Sequence, residues 1–106
     1  MAVPSTIGQV RDVFPKLGEY TDKVVFGDVW ERQELSKRDR SLVTISALTA
    51  MSKPDQLHGH LIRALDNGVT KQEIIEVITH LAFYSGWPNA GTAALVAKEV
   101  FKERGL

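Results

Sequence analysis

An all-α fold is predicted by three features of this sequence. From Lys37 onward, apolar residues recur at helical spacing. Each of those segments carries its own start and stop residues. No stretch alternates apolar and polar residues for long enough to read as a strand. Together they predict one compact domain, residues 1–106, of about six helices.

The elements follow in order. Thr6 to Phe14 fits a short helix, and Pro15 suits the first turn of another running to about Val25, where Phe26-Gly27-Asp28 breaks it. Ser36-Lys37-Arg38-Asp39 resembles a capping box with Asp39 at the acidic position, opening a helix from Lys37 to Met51. Leu42, Ile45, Ser46, Leu48 and Thr49 trace its inner stripe. Ser52 is read as the cap of the next helix, Pro54 to Asn67, with Gly68 at its left-handed stop. Thr70-Lys71-Gln72-Glu73 is a full capping box for a helix from Lys71 to Ser85. Gly86 breaks the chain, Pro88 restarts it, and the last helix runs to about Arg104. In that helix Ala90, Ala93, Ala94 and Ala97 form a small-residue stripe, explained either by close core packing or by a subunit contact.

Composition narrows the function. Lys plus Arg and Asp plus Glu both number 13, so the chain lacks the basic footprint of a nucleic-acid binder. So little net charge also favours association between copies. There is no cysteine, which excludes disulfides, thiolate zinc sites and thiol catalysis. No apolar run reaches the ~20 residues of a membrane span. The start, Met1 to Ser5, lacks the charged head and apolar run of a secretion signal, so the cytoplasm is the expected compartment.

The residues with chemical potential are few. His58 and His60 stand two apart on one helix and point in different directions, so they do not make a metal pair. His58 is expected to face solvent. His60 sits at the edge of the apolar stripe, either as a hydrogen-bonded boundary residue or in the wall of a partly buried pocket. His80 lies off the stripe of Ile74, Val77, Ile78 and Leu81, on a face with Glu76, Phe83 and Tyr84. It reads either as a surface ion pair with Glu76 or as part of a face that meets a partner or a ligand. Trp30 and Trp87 are the aromatic candidates. Trp87, at a helix start where backbone N–H groups favour anions, either borders a cavity with His80 or plugs the core. Arg38 and Arg40 flank Asp39 at another helix start; they form a solvated end or bind a carboxylate.

Three blocks carry a family resemblance: Arg38 to Thr44, His60 to Thr70, and Thr79 to Ala90. Any one alone is weak; together they resemble the carboxymuconolactone decarboxylase family, in the alkylhydroperoxidase D-like superfamily. The resemblance covers nearly the whole chain. It implies a compact all-α fold assembled into homo-oligomers, commonly trimers or hexamers, with pockets close to subunit contacts. The peroxidase branch of the superfamily carries Cys-x-x-Cys followed by His-x-x-x-Ala-x-x-x-Gly. His60, Ala64 and Gly68 fit the second part, whereas Lys53 and Gln56 stand at the cysteine positions and Ser41 at a glutamate position. Without a thiolate, peroxidase chemistry is excluded.

The decarboxylase branch needs no cysteine. The implied substrate is a small lactone bearing carboxylates, of the kind met in bacterial breakdown of protocatechuate. Its own carbonyl accepts the electrons left by carbon dioxide, so no metal or organic cofactor is demanded. The protein must supply a cation for the retained carboxylate, donors for the enolate oxygen and an acid for carbon. By position and chemistry this sequence offers Arg40 or Arg38 for the first, His60 or the Trp87 N–H for the second and His80 for the third, with Tyr84 in the substrate-binding wall. Two alternatives stay open: an enzyme of the same fold acting on another small acid or lactone, and a non-catalytic small-molecule-binding or stress-associated protein.

Overall fold

The computed structural model describes residues 5–106, and these contain six α-helices and no strand. The reading of the first four residues as no part of a secretion signal lies outside them. The helices are α1 (Thr6–Val10), α2 (Pro15–Tyr20), α3 (Lys37–Ala50), α4 (Pro54–Asp66), α5 (Lys71–Ser85) and α6 (Trp87–Glu103). Among the described residues, no helix is long and apolar enough to cross a membrane.

The long helices begin where their caps place them. Ser36 Oγ accepts the Asp39 N–H at 3.0 Å, one half of the expected box. At α5 both halves form: Thr70 Oγ1 accepts from Glu73 N, and Glu73 Oε1 accepts from Thr70 N. Arg38 also pairs with Glu73, which ties the start of α3 to the start of α5. The Thr70 N–H, followed by Arg38, holds the Glu73 carboxyl below the usual carboxylate range.

The α3–α4 joint corrects one expectation. Ser52 caps nothing; it adopts φ 54°, and Lys53 N reaches back to Leu48 O at 2.9 Å. Val69 N makes the same bond to Ala64 O around Gly68, whose φ is 95°. Both are left-handed helix stops, and only the second uses the residue that suits one. Pro54 then opens α4 without a side-chain cap.

Helices α3 and α6 each pack against α4 and α5, leaving α4 and α5 at opposite corners of the bundle. The core holds Ile45 of α3, Leu57, Leu61 and Ala64 of α4, Ile74, Ile78 and Ala82 of α5, and Ala90, Ala93, Ala97, Val100 and Phe101 of α6. Burial of Ala90, Ala93 and Ala97 assigns most of the alanine stripe to the core, while Ala94 is exposed.

The N-terminal quarter differs most from expectation. The first helix stops at Val10 rather than Phe14. The second widens into a π-helical turn, Thr21–Val25, and is followed by a 3-10 turn, Val29–Glu31. Gly27 allows that path: a Cβ there would lie 2.6 Å from Asp22 O and 2.8 Å from Lys23 O. The 3-10 turn delivers Trp30, 8% exposed, to the bundle.

A non-glycine left-handed residue costs ~1–2 kcal/mol, partly offset by the looser unfolded chain of a glycine variant. Ser52→Gly should therefore raise Tm by about 2–4 °C in a calorimetric scan. A lower Tm would show that the hydroxyl contributes more than the backbone strain costs.

Candidate active site

The irregular segment after α2 builds the recess in which His60 sits. Phe26 and Trp30 stack at 5.9 Å between centroids, and Trp30 stacks on His60 at 6.2 Å with 24° between planes. One turn along α4, on the same face, Arg63 lies over the Phe26 ring at 4.3 Å and the Trp30 ring at 5.5 Å. A cavity of about 420 Å³ opens here, with Arg11, Asp22, Phe26, Gln56, His60 and Arg63 in its wall. Helix α1 forms one side, pinned by a Gln56–Thr6 hydrogen bond of 2.9 Å and by the bidentate Arg11–Asp22 ion pair at 2.7 and 2.8 Å.

Burial lowers the His60 pKa, and the nearby Arg63 charge lowers it further, so the imidazole is neutral at pH 7. Its Nδ1 is sealed from solvent without a hydrogen-bond partner. The Arg11 hydrogen bond holds the Asp22 carboxyl below its ordinary range, so that pair stays ionised. Asp55, at the start of α4, adds a second carboxylate to the wall. Arg63 has no carboxylate or hydrogen-bond partner among the described residues. The arrangement combines an uncharged N–H donor, a planar aromatic wall and a cation not neutralised by a salt bridge.

The other candidates lie elsewhere. His80 stacks on Tyr84 at 4.7 Å, on the outer face of α5, and its expected ion pair with Glu76 does not form. A shallow groove of about 380 Å³ runs past His80, Leu42, Ser46, Glu73 and Glu76. Trp87 is 66% exposed and meets Phe83 edge-on at 5.2 Å, so it neither plugs the core nor borders that groove. Tyr84 and Phe83, 79% and 74% exposed, extend the same aromatic patch. Arg40 donates from Nη2 to Arg32 O at 3.2 Å, and Arg38 is engaged by Glu73. Neither lines the His60 cavity. His58 is not solvent-facing as expected; it is largely buried and lies 3.0 Å from Glu103. Ser41, at the glutamate position of the peroxidase branch, is buried and accepts a hydrogen bond from Asn67.

Two further cavities help to assign the site. One of about 620 Å³ between α1, α4 and α6 carries Asp55, Glu99 and Glu103 beside His58, a lining that repels anions. One of about 530 Å³ between α5 and α6 has Lys71, Lys98 and Lys102 on an apolar floor but no imidazole. Only the His60 cavity joins an imidazole to an unpaired guanidinium among these four.

A helical bundle that sets a desolvated imidazole beside an arginine has the groups that acid–base chemistry on a small anion requires. Residues 15–99 match the carboxymuconolactone decarboxylase family, and the chain belongs to that family. It is 36% identical over 98% of its length to 4-carboxymuconolactone decarboxylase of Acinetobacter baylyi, of which it covers 78%. It is 33% identical over 74% of its length to a nitrosuccinic acid decarboxylase of Metarhizium robertsii, covering 54% of that protein. An uncharacterised 15.0 kDa protein of Paracoccus denitrificans is 36% identical over a similar share, with 60% of it covered. Family and relatives together make this chain a carboxy-lyase by class.

Sequence reasoning gave Trp30 no role and passed over Phe26 and Arg63. The i, i+3 spacing of His60 and Arg63 was the available signal for the arginine.

The lowered His60 pKa has a sign. Above pH 6.5 the ring is neutral in both folded and unfolded chains, and its contribution to stability is complete. As pH falls from 6.5 through the folded pKa, the unfolded chain takes the proton first and that stability is lost. The Glu73 and Asp22 contributions are lost only in the lower, carboxylate range. NMR titration of the ring nitrogens should find a His60 midpoint below 6.5; a midpoint at or above it contradicts the assignment.

Proposed function

We propose that the chain catalyses cofactor-free decarboxylation of a small carboxylated lactone of the 4-carboxymuconolactone type, within aromatic-compound catabolism in the cytoplasm. The observation that carries this reading is the neutral, desolvated His60 held against Trp30 in a cavity that also contains a guanidinium. The substrate named for the Acinetobacter baylyi relative supports it.

The chemistry asks little beyond this. The bond between the ring carbon and its carboxylate breaks, and carbon dioxide leaves. The electron pair passes through the ring double bond into the lactone carbonyl, giving an enolate that is then protonated at carbon. His60, being neutral, donates an N–H hydrogen bond to the carbonyl oxygen as its negative charge grows. Such a donor in a dry site contributes ~3–4 kcal/mol to the barrier reduction. A charged imidazolium would need more desolvation in this recess, which favours the neutral ring as donor.

Carbon protonation is assigned to His80, whose ring is open to solvent exchange. Helices α4 and α5 occupy opposite corners, so His60 and His80 of one protomer line separate cavities. Our reading therefore includes a homo-oligomer, a trimer or hexamer, in which the His80–Tyr84–Trp87 patch of one copy closes over a neighbour.

The test is incubation of purified protein with fresh 4-carboxymuconolactone while carbon dioxide and enol-lactone are followed. His60→Ala should lower kcat at least tenfold with the oligomer intact by analytical ultracentrifugation, and His80→Ala should do likewise. No turnover by the wild-type protein would end the lactone assignment. Wild-type rates in both variants would end the site assignment.

A further inference from the structure

We propose that Arg63 is the residue that binds the retained carboxylate of the substrate, and that it makes the cavity selective for small carboxylates over their uncharged analogues. The inference rests on the decarboxylase reading above, because that reaction needs one carboxylate to be held while another leaves.

Four observations carry it. The other arginine in the cavity, Arg11, is spent on Asp22 through two hydrogen bonds. Arg38 and Arg40, the expected cations, are bound to Glu73 and to the Arg32 carbonyl and lie outside the cavity wall. Arg63 alone in that wall is a cation with no anionic partner among the described residues.

Its mode of attachment is the third observation. Its Cζ lies over the Phe26 and Trp30 rings, and its N–H groups have no hydrogen-bond acceptor among the described residues. Those donors form the fork that fits a carboxylate in bidentate fashion. Contact with two rings restricts the side chain in advance, so less freedom is lost on binding. Lysine has neither the plane nor the fork.

The fourth is spacing. Residues three apart on a helix have Cβ atoms about 5–6 Å from each other. A carboxylate on Arg63 thus leaves the remainder of a small acid within reach of His60. The span suits a four- or five-carbon acid or a five-membered lactone, and not a long chain.

The experiment measures binding and turnover separately. Succinate is titrated calorimetrically into the wild-type oligomer, Arg63→Gln, Arg63→Lys and the distant control Arg104→Gln, with dimethyl succinate as the uncharged comparison. Succinate should bind the wild type and the control alike, at least tenfold more tightly than Arg63→Gln, with Arg63→Lys between them. The preference for succinate over its diester should vanish in Arg63→Gln. In lactone turnover Arg63→Gln should raise KM about tenfold with kcat within threefold, whereas His60→Ala lowers kcat. Undetectable succinate binding by the wild type, or equal affinity in Arg63→Gln, overturns the proposal. Arg63-dependent succinate binding without lactone turnover sinks the decarboxylase reading and leaves the carboxylate site standing. Lactone turnover with unaltered KM in Arg63→Gln does the reverse.

Discussion

The close approach of α3 and α6 is the constraint on which the arrangement depends. Both helices present small residues to the interior: Ser41 and Thr49 on α3, and Ala90, Ala93 and Ala97 on α6. Helix axes can come near only where side chains are short. Asn89 of α6 fastens the pair by donating to Ala50 O of α3 at 3.1 Å, and it also donates to Ser85 O at the end of α5 at 2.9 Å. The larger residues, Leu57, Leu61, Ile74 and Ile78, then fill the other diagonal and hold α4 and α5 apart. This short and long diagonal sends the His60 face and the His80 face to opposite sides of the protomer. One imidazole ends in a recess and the other on an open aromatic surface.

The recess owes its electrostatics to a segment with little regular structure. Neither the π-helical turn nor the 3-10 turn buries much, apart from Trp30. Yet without Trp30 the His60 ring would meet water, and its proton affinity would return toward that of a free imidazole. The regular helices supply position, and the irregular loop supplies dielectric. A site built this way can be tuned by changes in the loop that leave the bundle untouched.

The helices were legible in the sequence because local signals specify them. Ser36, Thr70, Pro54, Gly68 and Gly86 each mark a boundary within about a residue of the observed one. Ser52 misled because a serine before a helical pattern usually caps, and only the backbone angles reveal that it ends the preceding helix. The candidate site was half legible. His60 stood out by its place beside the apolar stripe and by the family pattern. Its surroundings did not, since Phe26 and Trp30 lie far from it in sequence and arrive through turns that have no periodicity. Arg63 was hidden by its composition; an arginine on a helix is commonly a solvated charge, and only the rings beneath it distinguish this one. His58 was misjudged for a related reason, because Glu103 belongs to the far end of α6.

Gly27 carries a consequence out of proportion to its size. The backbone oxygens of Asp22 and Lys23 occupy the space where any side chain would begin. Even a methyl group there would force the strand of chain behind it to swing outward, taking the indole with it. The acid–base character of a ring on α4 is thus inherited from a lone hydrogen atom in a distant bend.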